Sequence, residues 1–171
     1  DLVGVGFLFA LNHHAAMKHA IGPRREMTVR TVFNVLGPLT NPAGAKRQLM
    51  GVYDRALVRP VAEVLQALGS EHVMVVHSAD GLDEISIAAP TFVAELKNGS
   101  ISEYKIEPDD FGIQKQDLSG LIIEDAKGSL DLVNAALRGE HEAAMDIVSL
   151  NAGAAIYVSG QCANLKLGVQ M

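Results

Sequence analysis

A strand–helix–strand pattern between residues 49 and 77 decides the fold class of this chain. Residues 49–53 are a short apolar run typical of a strand. Residues 55–68 carry apolar side chains at a helical period, and Gly69 follows as a C-cap. Residues 72–77 are a β-branched apolar run of the kind found in buried parallel strands. This βαβ unit predicts an α/β fold with a mostly parallel central sheet flanked by helices.

The second half of the chain adds a hairpin and two helices. Residues 91–97 and 101–106 alternate on both sides of Asn98-Gly99, which is the strongest short-range hairpin signal. Residues 125–138 and 142–158 have helical composition, although Asp146, Asn151 and Gly153 interrupt the apolar surface of the second helix. We therefore expect residues 1–171 to form a single α/β domain. The chain begins inside an apolar segment without an initiator methionine, so we expect it to be part of a longer protein.

Composition excludes several classes of function. The chain has 171 residues, of which 49% are apolar, as is typical of a soluble globular domain. Its net charge is −6 and it has no extended basic cluster, so we expect no nucleic-acid partner. No apolar run reaches about 18 residues, so we expect no membrane span. The lone cysteine, Cys162, cannot form an intrachain disulfide, which fits a reducing cytoplasm.

Residues 30–43 form the most unusual segment and read Arg-Thr-Val-Phe-Asn-Val-Leu-Gly-Pro-Leu-Thr-Asn-Pro-Ala. Pro38 and Pro42 fix their own φ angles and bias the preceding residues toward extended geometry. Four large apolar residues stand directly before Gly37-Pro38, which a surface loop has little reason to carry. We predict a short helix that ends in a shaped, partly buried turn. Structured loops of this kind are more often functional than decorative.

Asp83 and Glu84 are the first candidates for chemistry. They follow the predicted strand at residues 72–77, and ligands in open α/β sheets bind outside the carboxyl ends of strands. Two adjacent carboxylates suit Mg²⁺, which combines one or two carboxylates with waters and phosphate oxygens. A phosphate could not bind them directly, because like charges repel. The alternative interpretation is a solvated acidic turn.

Arg24 and Arg25 are the second candidates. The planar guanidinium of arginine is suited to a carboxylate or a phosphate. The pair could equally lie exposed on a helix. His13 and His14 stand at a predicted helix start, but no third ligand follows at zinc spacing, so we expect no zinc site there. We interpret His72 as structural or solvated.

Together these segments resemble anthranilate phosphoribosyltransferase, the tryptophan-pathway enzyme. The resemblance runs through most of the chain, and the segment at residues 30–43 is its most specific part. The matching segments are Gly6-Phe-Leu-Phe-Ala10, His14-Ala-Ala-Met-Lys18, Arg24, Arg30 to Ala43, Asp80-Gly-Leu-Asp-Glu84 and Asn151-Ala-Gly-Ala154.

The resemblance implies a reaction and roles for six residues. The family joins anthranilate to phosphoribosyl pyrophosphate and releases pyrophosphate, and its large domain shares a fold with nucleoside phosphorylases. The resemblance implies that Arg24 holds the anthranilate carboxylate. It implies that His14, Met17 and Pro38 line the anthranilate channel. The two remaining residues, Asp83 and Glu84, would hold Mg²⁺ on the pyrophosphate group.

The chain also departs from the family pattern. The glycine-rich pyrophosphate loop Gly-Thr-Gly-Gly-Asp and the motif Lys-His-Gly-Asn do not occur in it. We therefore expect the helical domain, this loop and a C-terminal closing segment to be absent, and the isolated chain to be nearly inactive. The family is typically a homodimer, which we expect of the complete protein.

Two alternative functions stay open at this point. A pyrimidine nucleoside phosphorylase would have the same fold, but that family lacks the Leu-Gly-Pro-Leu-Thr-Asn-Pro stretch. A non-catalytic relative that binds nucleic acid is the other alternative, and the net charge of −6 argues against it.

Overall fold

The computed structural model describes residues 6, 37, 39–41 and 43–171. The chain divides into two compact units, Asp1–Ala45 and Lys46–Met171. The second unit contains all the strands and helices whose bounds are given below.

The described end of the first unit contains the turn predicted within residues 30–43, and residues 30–36, predicted to form the helix before it, lie outside the described residues. Gly37 is helical, and both the N–H and the Oγ1 of Thr40 donate to its carbonyl oxygen at 3.1 Å. The side chain of Asn41 then accepts a hydrogen bond from the N–H of Ala43 at 2.9 Å. Gly44 follows with a φ of +61°, a conformation that favours glycine. Local side-chain and backbone hydrogen bonds therefore shape this turn.

The first half of the second unit contains four strands and one α-helix, and its second half is helical. Its strands are β1 (Arg47–Gly51), β2 (His72–Ser78), β3 (Thr91–Lys97) and β4 (Ser100–Ile106). Its helices are α1 (Val58–Ala67), α2 (Ala126–Arg138), α3 (Glu142–Ser159) and α4 (Leu165–Gln170). Single 3₁₀ turns lie at Arg55–Leu57, Pro108–Phe111 and Ser119–Leu121.

The sheet is mixed and has the strand order β1-β2-β3-β4. The strands β1 and β2 are parallel, with α1 as their crossover, which confirms the βαβ unit and the α/β class. The other two pairs are antiparallel, so the parallel part of the described sheet is smaller than the sequence indicates. The reason is that residues 79–90 link β2 to β3 without a helix, and a chain that returns in this way pairs antiparallel. The apolar run of β2 indicates a strand buried on both faces, and such a strand can have either parallel or antiparallel neighbours.

The β3–β4 hairpin is confirmed at the predicted turn. Asn98 and Gly99 have φ angles of +52° and +75°, which is the combination that a two-residue type I′ turn requires. The register pairs Lys97 with Ser100 across this turn.

Helices cover both faces of the sheet. Met74 and Val76 of β2 pack with Leu150 and Ala154 of α3 in the main hydrophobic cluster. The alternate residues of β2 point to the opposite face, where α1 lies. That helix buries Val58, Val61, Ala62 and Leu65. The helix α3 is thus fixed against the sheet, which matters for the site described next.

The contact between α3 and α4 explains one interruption in the predicted helix. A Cβ atom placed on Gly153 would lie 2.5 Å from the Cα of Val169, and one on Gly168 would meet the carbonyl oxygen of Gly153. Only glycines allow the two backbones to approach this closely. The sequence did not predict α4, which Asn164 caps by accepting from the N–H of Leu167. Among the helices in the described part of the chain, none has the length and apolar character needed to cross a membrane.

Candidate metal and phosphate site

Asp83 and Glu84 lie in the connection between β2 and β3, at the carboxyl end of the parallel strands. The main chain of Asp83 passes directly against Gly51, the last residue of β1. A Cβ atom on Gly51 would overlap the carbonyl oxygen of Asp83, so this approach requires a glycine. The pair therefore lies beside the carboxyl ends of both β1 and β2, whereas the sequence predicts only that it follows the second of these strands.

Hydrogen bonds within the connection build a tight turn ahead of the pair. The N–H of Ser78 donates to the carbonyl oxygen of Leu82 at 2.9 Å, and Gly81 takes a φ of +95°. The carboxylate of Asp80 accepts from the N–H of Leu82 at 3.2 Å and from the hydroxyl of Ser86 at 2.5 Å. Burial opposes ionisation of Asp80, but the hydrogen bonds that it accepts outweigh burial, and its pKa is lowered. Asp80 is thus an ionised scaffold residue of the turn.

Asn151 holds the connection on the other side of the pair. Its Oδ1 accepts from the N–H of Ile85 at 3.0 Å, and its Nδ2 donates to the carbonyl oxygen of Ile85 at 2.9 Å. The same Nδ2 donates to the carbonyl oxygen of Ile147 at 2.9 Å, one turn earlier on α3. The residue that follows Glu84 is therefore bound at both its backbone groups by one helical side chain.

Asp83 and Glu84 carry negative charges that the side chains of residues 43–171 do not compensate. Both residues are exposed, yet the surrounding protein removes part of the solvation of Glu84 and raises its pKa, and the charge of Asp83 raises it further. Within residues 43–171 no hydrogen bond or ion pair joins a cation to either carboxylate. Two neighbouring carboxylates without a counterion are the oxygen donors that Mg²⁺ takes from a protein.

A cavity beside the pair leaves room for a ligand. It has a volume of about 470 Å³, and Gly51, Asn151, Asp83 and Glu84 contribute to its wall. The described residues contain no group of three or more His, Cys, Asp or Glu side chains that could hold a metal ion. The donor set fits a cation that completes its coordination with waters and phosphate oxygens.

Comparison with known proteins assigns the family. Residues 1–171 match the family model described as "Glycosyl transferase family, a/b domain". The chain belongs to this family. The match covers the whole chain, as the resemblance identified in the sequence leads us to expect.

Named relatives within this glycosyl transferase family agree with one another. The chain is 65% identical over 171 residues to an anthranilate phosphoribosyltransferase of Marinomonas sp. (strain MWYL1), covering 99% of this chain and 49% of the relative. It is 60% identical over 175 residues to that of Ectopseudomonas mendocina (strain ymp), covering 100% and 50%. The chain thus spans about half the length of the curated relatives it matches.

Solved structures confirm the fold of this family member. The anthranilate phosphoribosyltransferase of Thermus thermophilus superposes with a TM-score of 0.88 at 38% identity, covering 96% of this chain and 49% of that one. The Saccharomyces cerevisiae enzyme in complex with PRPP and Mg has a TM-score of 0.79 at 27% identity, covering 92% and 46%.

The predicted site residues divide into two groups. Asp83 and Glu84 lie within the described residues, and the structure brings them together with Gly51 and Asn151. The other predicted residues, His14, Met17, Arg24 and Pro38, lie outside the described residues. Sequence reasoning assigned no role to Gly51 or Asn151. A signal existed for Asn151 alone, because an amide that interrupts an apolar helix face needs buried partners.

Proposed function

We propose that the protein transfers the phosphoribosyl group of phosphoribosyl pyrophosphate to the amine of anthranilate and releases pyrophosphate. The observation that carries this proposal is the uncompensated carboxylate pair beside a cavity at the carboxyl ends of β1 and β2. The names of the relatives support the same reaction, which belongs to tryptophan biosynthesis. Because the chain spans half of each relative, the activity is proposed for the complete enzyme.

The chemistry explains why the site needs paired acids. Displacement at the anomeric carbon of ribose resembles glycosyl transfer, with an oxocarbenium-like transition state and charge accumulating on the leaving group. Asp83 and Glu84 would hold Mg²⁺, which when bound neutralises charge on pyrophosphate. The yeast enzyme, whose complex contains both PRPP and Mg, supports this choice of ion. The turn ahead of the pair, with its ionised Asp80, presents both carboxylates on a fixed backbone.

The acceptor side of the proposal depends on the family resemblance. Arg24 would bind the carboxylate of anthranilate, and His14, Met17 and Pro38 would line its channel. The amine of anthranilate is an uncharged aryl amine and needs little help from a base. Positioning by Arg24 would therefore contribute most of the rate enhancement on this side.

The proposal extends to the setting of the complete enzyme. The glycine-rich pyrophosphate loop would come from the part of the enzyme that this chain does not contain. We expect a cytoplasmic homodimer, in line with the single cysteine and with the family pattern.

The test is neutralisation of the acidic pair in the complete enzyme. The variants Asp83→Asn and Glu84→Gln should each lower kcat/KM for phosphoribosyl pyrophosphate by about a hundredfold or more, because a charged ligand of the leaving-group metal is lost. The assay follows formation of phosphoribosyl-anthranilate across a Mg²⁺ titration. Asp109→Asn, an exposed aspartate in the 3₁₀ turn Pro108–Phe111, is the matched control.

Two outcomes would contradict the proposal. If both acidic variants kept the parental activity, Asp83 and Glu84 would be excluded as ligands of the metal. Phosphorolysis of a pyrimidine nucleoside by the parent enzyme, with no product from anthranilate, would instead indicate the nucleoside phosphorylase alternative.

A further inference from the structure

We propose that Asn151 is a positioning residue that fixes the backbone carrying Asp83 and Glu84 and thereby sets the spacing of their carboxylates for a divalent cation. The inference rests on the proposed function, since it concerns the same acidic pair. It assigns a task to a side chain that does not itself need to touch the ion.

The side-chain amide of Asn151 pairs with both backbone groups of Ile85. Asn151 binds the N–H and the carbonyl oxygen of Ile85 at 3.0 and 2.9 Å. A neighbouring strand would satisfy both groups of a residue in the same way. Residues 79–90 form no ladder with the sheet, so the side chain of Asn151 supplies this pairing directly after Glu84.

Asn151 is itself held in place on α3. Its Nδ2 also donates to the carbonyl oxygen of Ile147, which restricts the side chain to one orientation along α3. Its neighbour Leu150 is 1% exposed, and Ala154 is completely buried. The amide therefore projects from a part of α3 that the hydrophobic core fixes.

The end of β1 constrains the same backbone from the opposite side. Gly51, at the end of β1, meets the backbone of Asp83 so closely that any side chain there would overlap its carbonyl oxygen. The backbone from residue 83 to residue 85 is thus confined between β1 and α3. Both contacts act on the main chain and leave the carboxylates of Asp83 and Glu84 unoccupied by either element.

Repulsion within the acidic pair makes a fixed backbone necessary. Asp83 and Glu84 are adjacent acidic residues, so their ionised carboxylates repel each other. Repulsion on an unrestrained loop would separate the carboxylates, and a cation would then have to bring them together at a cost in affinity. Groups that orient metal ligands without touching the metal typically change its affinity by about 10–100-fold.

The experiment measures metal binding separately from folding. Mn²⁺, a paramagnetic substitute for Mg²⁺, is titrated into the complete enzyme with pyrophosphate present, and the free ion is followed by EPR. Asn151→Ala should raise the Kd for Mn²⁺ about tenfold or more, measured at a temperature where circular dichroism shows the variant folded. Asn134→Ala, the same substitution at an exposed position of α2, should leave the Kd unchanged.

A second variant covers the case in which Asn151→Ala does not fold. Asn151→Ser keeps a small neutral polar group, but its hydroxyl is too short to bind both backbone groups of Ile85. It should weaken Mn²⁺ binding in the same direction. A purely structural role for Asn151 would instead lower the melting temperature and leave the Kd of the folded protein at the parental value.

The acidic variants separate this inference from the proposed function. If Asp83→Asn loses Mn²⁺ binding while a folded Asn151 variant keeps the parental Kd, the positioning role is overturned and the metal site stands. If Asp83→Asn and Glu84→Gln both bind Mn²⁺ like the parent, the metal site and the positioning role are overturned together.

Discussion

Glu95 on β3 and Glu84 after β2 are two glutamates near opposite ends of β2, and the protein surrounds them differently. Glu95 is 7% exposed, and its Oε1 accepts from Nε2 of His72 at 2.8 Å and from the hydroxyl of Tyr157 at 2.7 Å. Its Oε2 accepts from the hydroxyl of Tyr104 at 2.8 Å. Burial opposes ionisation, but these donors outweigh it and lower the pKa of Glu95.

Glu84 has the opposite environment, although it is the more exposed of the two. Partial loss of solvation and the charge of Asp83 raise its pKa, and within residues 43–171 no donor or cation compensates them. The difference separates a carboxylate that the protein itself pairs from one that the described residues leave without a donor. The protein completes the first with its own donors, and we propose that a cation completes the second.

Removing the completed carboxylate should have the largest effect on stability. Glu95→Ala leaves His72, Tyr104 and Tyr157 without an acceptor, so the free energy of unfolding should fall by about 3–5 kcal/mol. Urea titration followed by circular dichroism measures this loss. Glu103→Ala removes an exposed glutamate of β4 that pairs with Arg59, and it should change stability little.

If Glu95→Ala and Glu103→Ala have the same free energy of unfolding, the contrast drawn between Glu95 and Glu84 fails. It also fails if the folded Glu95→Ala variant binds Mn²⁺ more weakly than the parent protein. The Glu95 network would then serve the metal site as well as the fold.

Removing one donor from the same network should have an intermediate effect. Tyr104→Phe deletes only the hydroxyl that donates to Oε2 of Glu95, so the unfolding free energy should fall by about 1–2 kcal/mol. Burial and the neighbouring carboxylate raise the pKa of the Tyr104 phenol, so it is a donor throughout the neutral range. A double-mutant cycle with Glu95→Ala measures the coupling. Additive losses in that cycle would contradict the network.

The local part of this fold could be predicted from sequence, and the long-range part could not. The helix at 55–68 and the Asn98-Gly99 hairpin follow from periodicity and turn chemistry within a few residues. The Glu95 network joins Tyr157 to a residue 62 positions away, and nothing in either segment identifies the partner. The short helix Leu165–Gln170 was missed because six residues give almost no periodic signal.

The candidate site also has a local part that could be predicted from the sequence and a long-range part that could not. The position of Asp83-Glu84 follows from one general rule about the carboxyl ends of strands in α/β sheets. The clamp around the pair does not, since Asn151 binds Ile85 across 66 residues of chain, and Gly51 is required only because Asp83 approaches it. Sequence reasoning therefore found the proposed ligands and missed the residues that hold their backbone.

The smallest of the expected effects, the pH dependence of stability, should have opposite signs for the two glutamates. The ordinary pKa for both is 4.5. The folded state lowers the pKa of Glu95, so this group stabilises the protein above pH 4.5, and its contribution is lost as the pH falls through the folded-state pKa. The folded state raises the pKa of Glu84, so stability declines as the pH rises from 4.5 through that raised value.

Unfolding free energies of the parent, Glu84→Gln and Glu95→Gln across this pH range isolate each contribution by subtraction. The contribution of Glu84 should slope downward with rising pH and that of Glu95 upward. With Mg²⁺ and pyrophosphate present, the slope of Glu84 should flatten or reverse, because a bound cation stabilises the ionised carboxylate and metal binding then releases its proton. If the contributions of Glu84 and Glu95 changed with pH in the same direction, the opposite pKa shifts of the two carboxylates would be contradicted. A Glu84 slope unaffected by the metal would place the cation elsewhere.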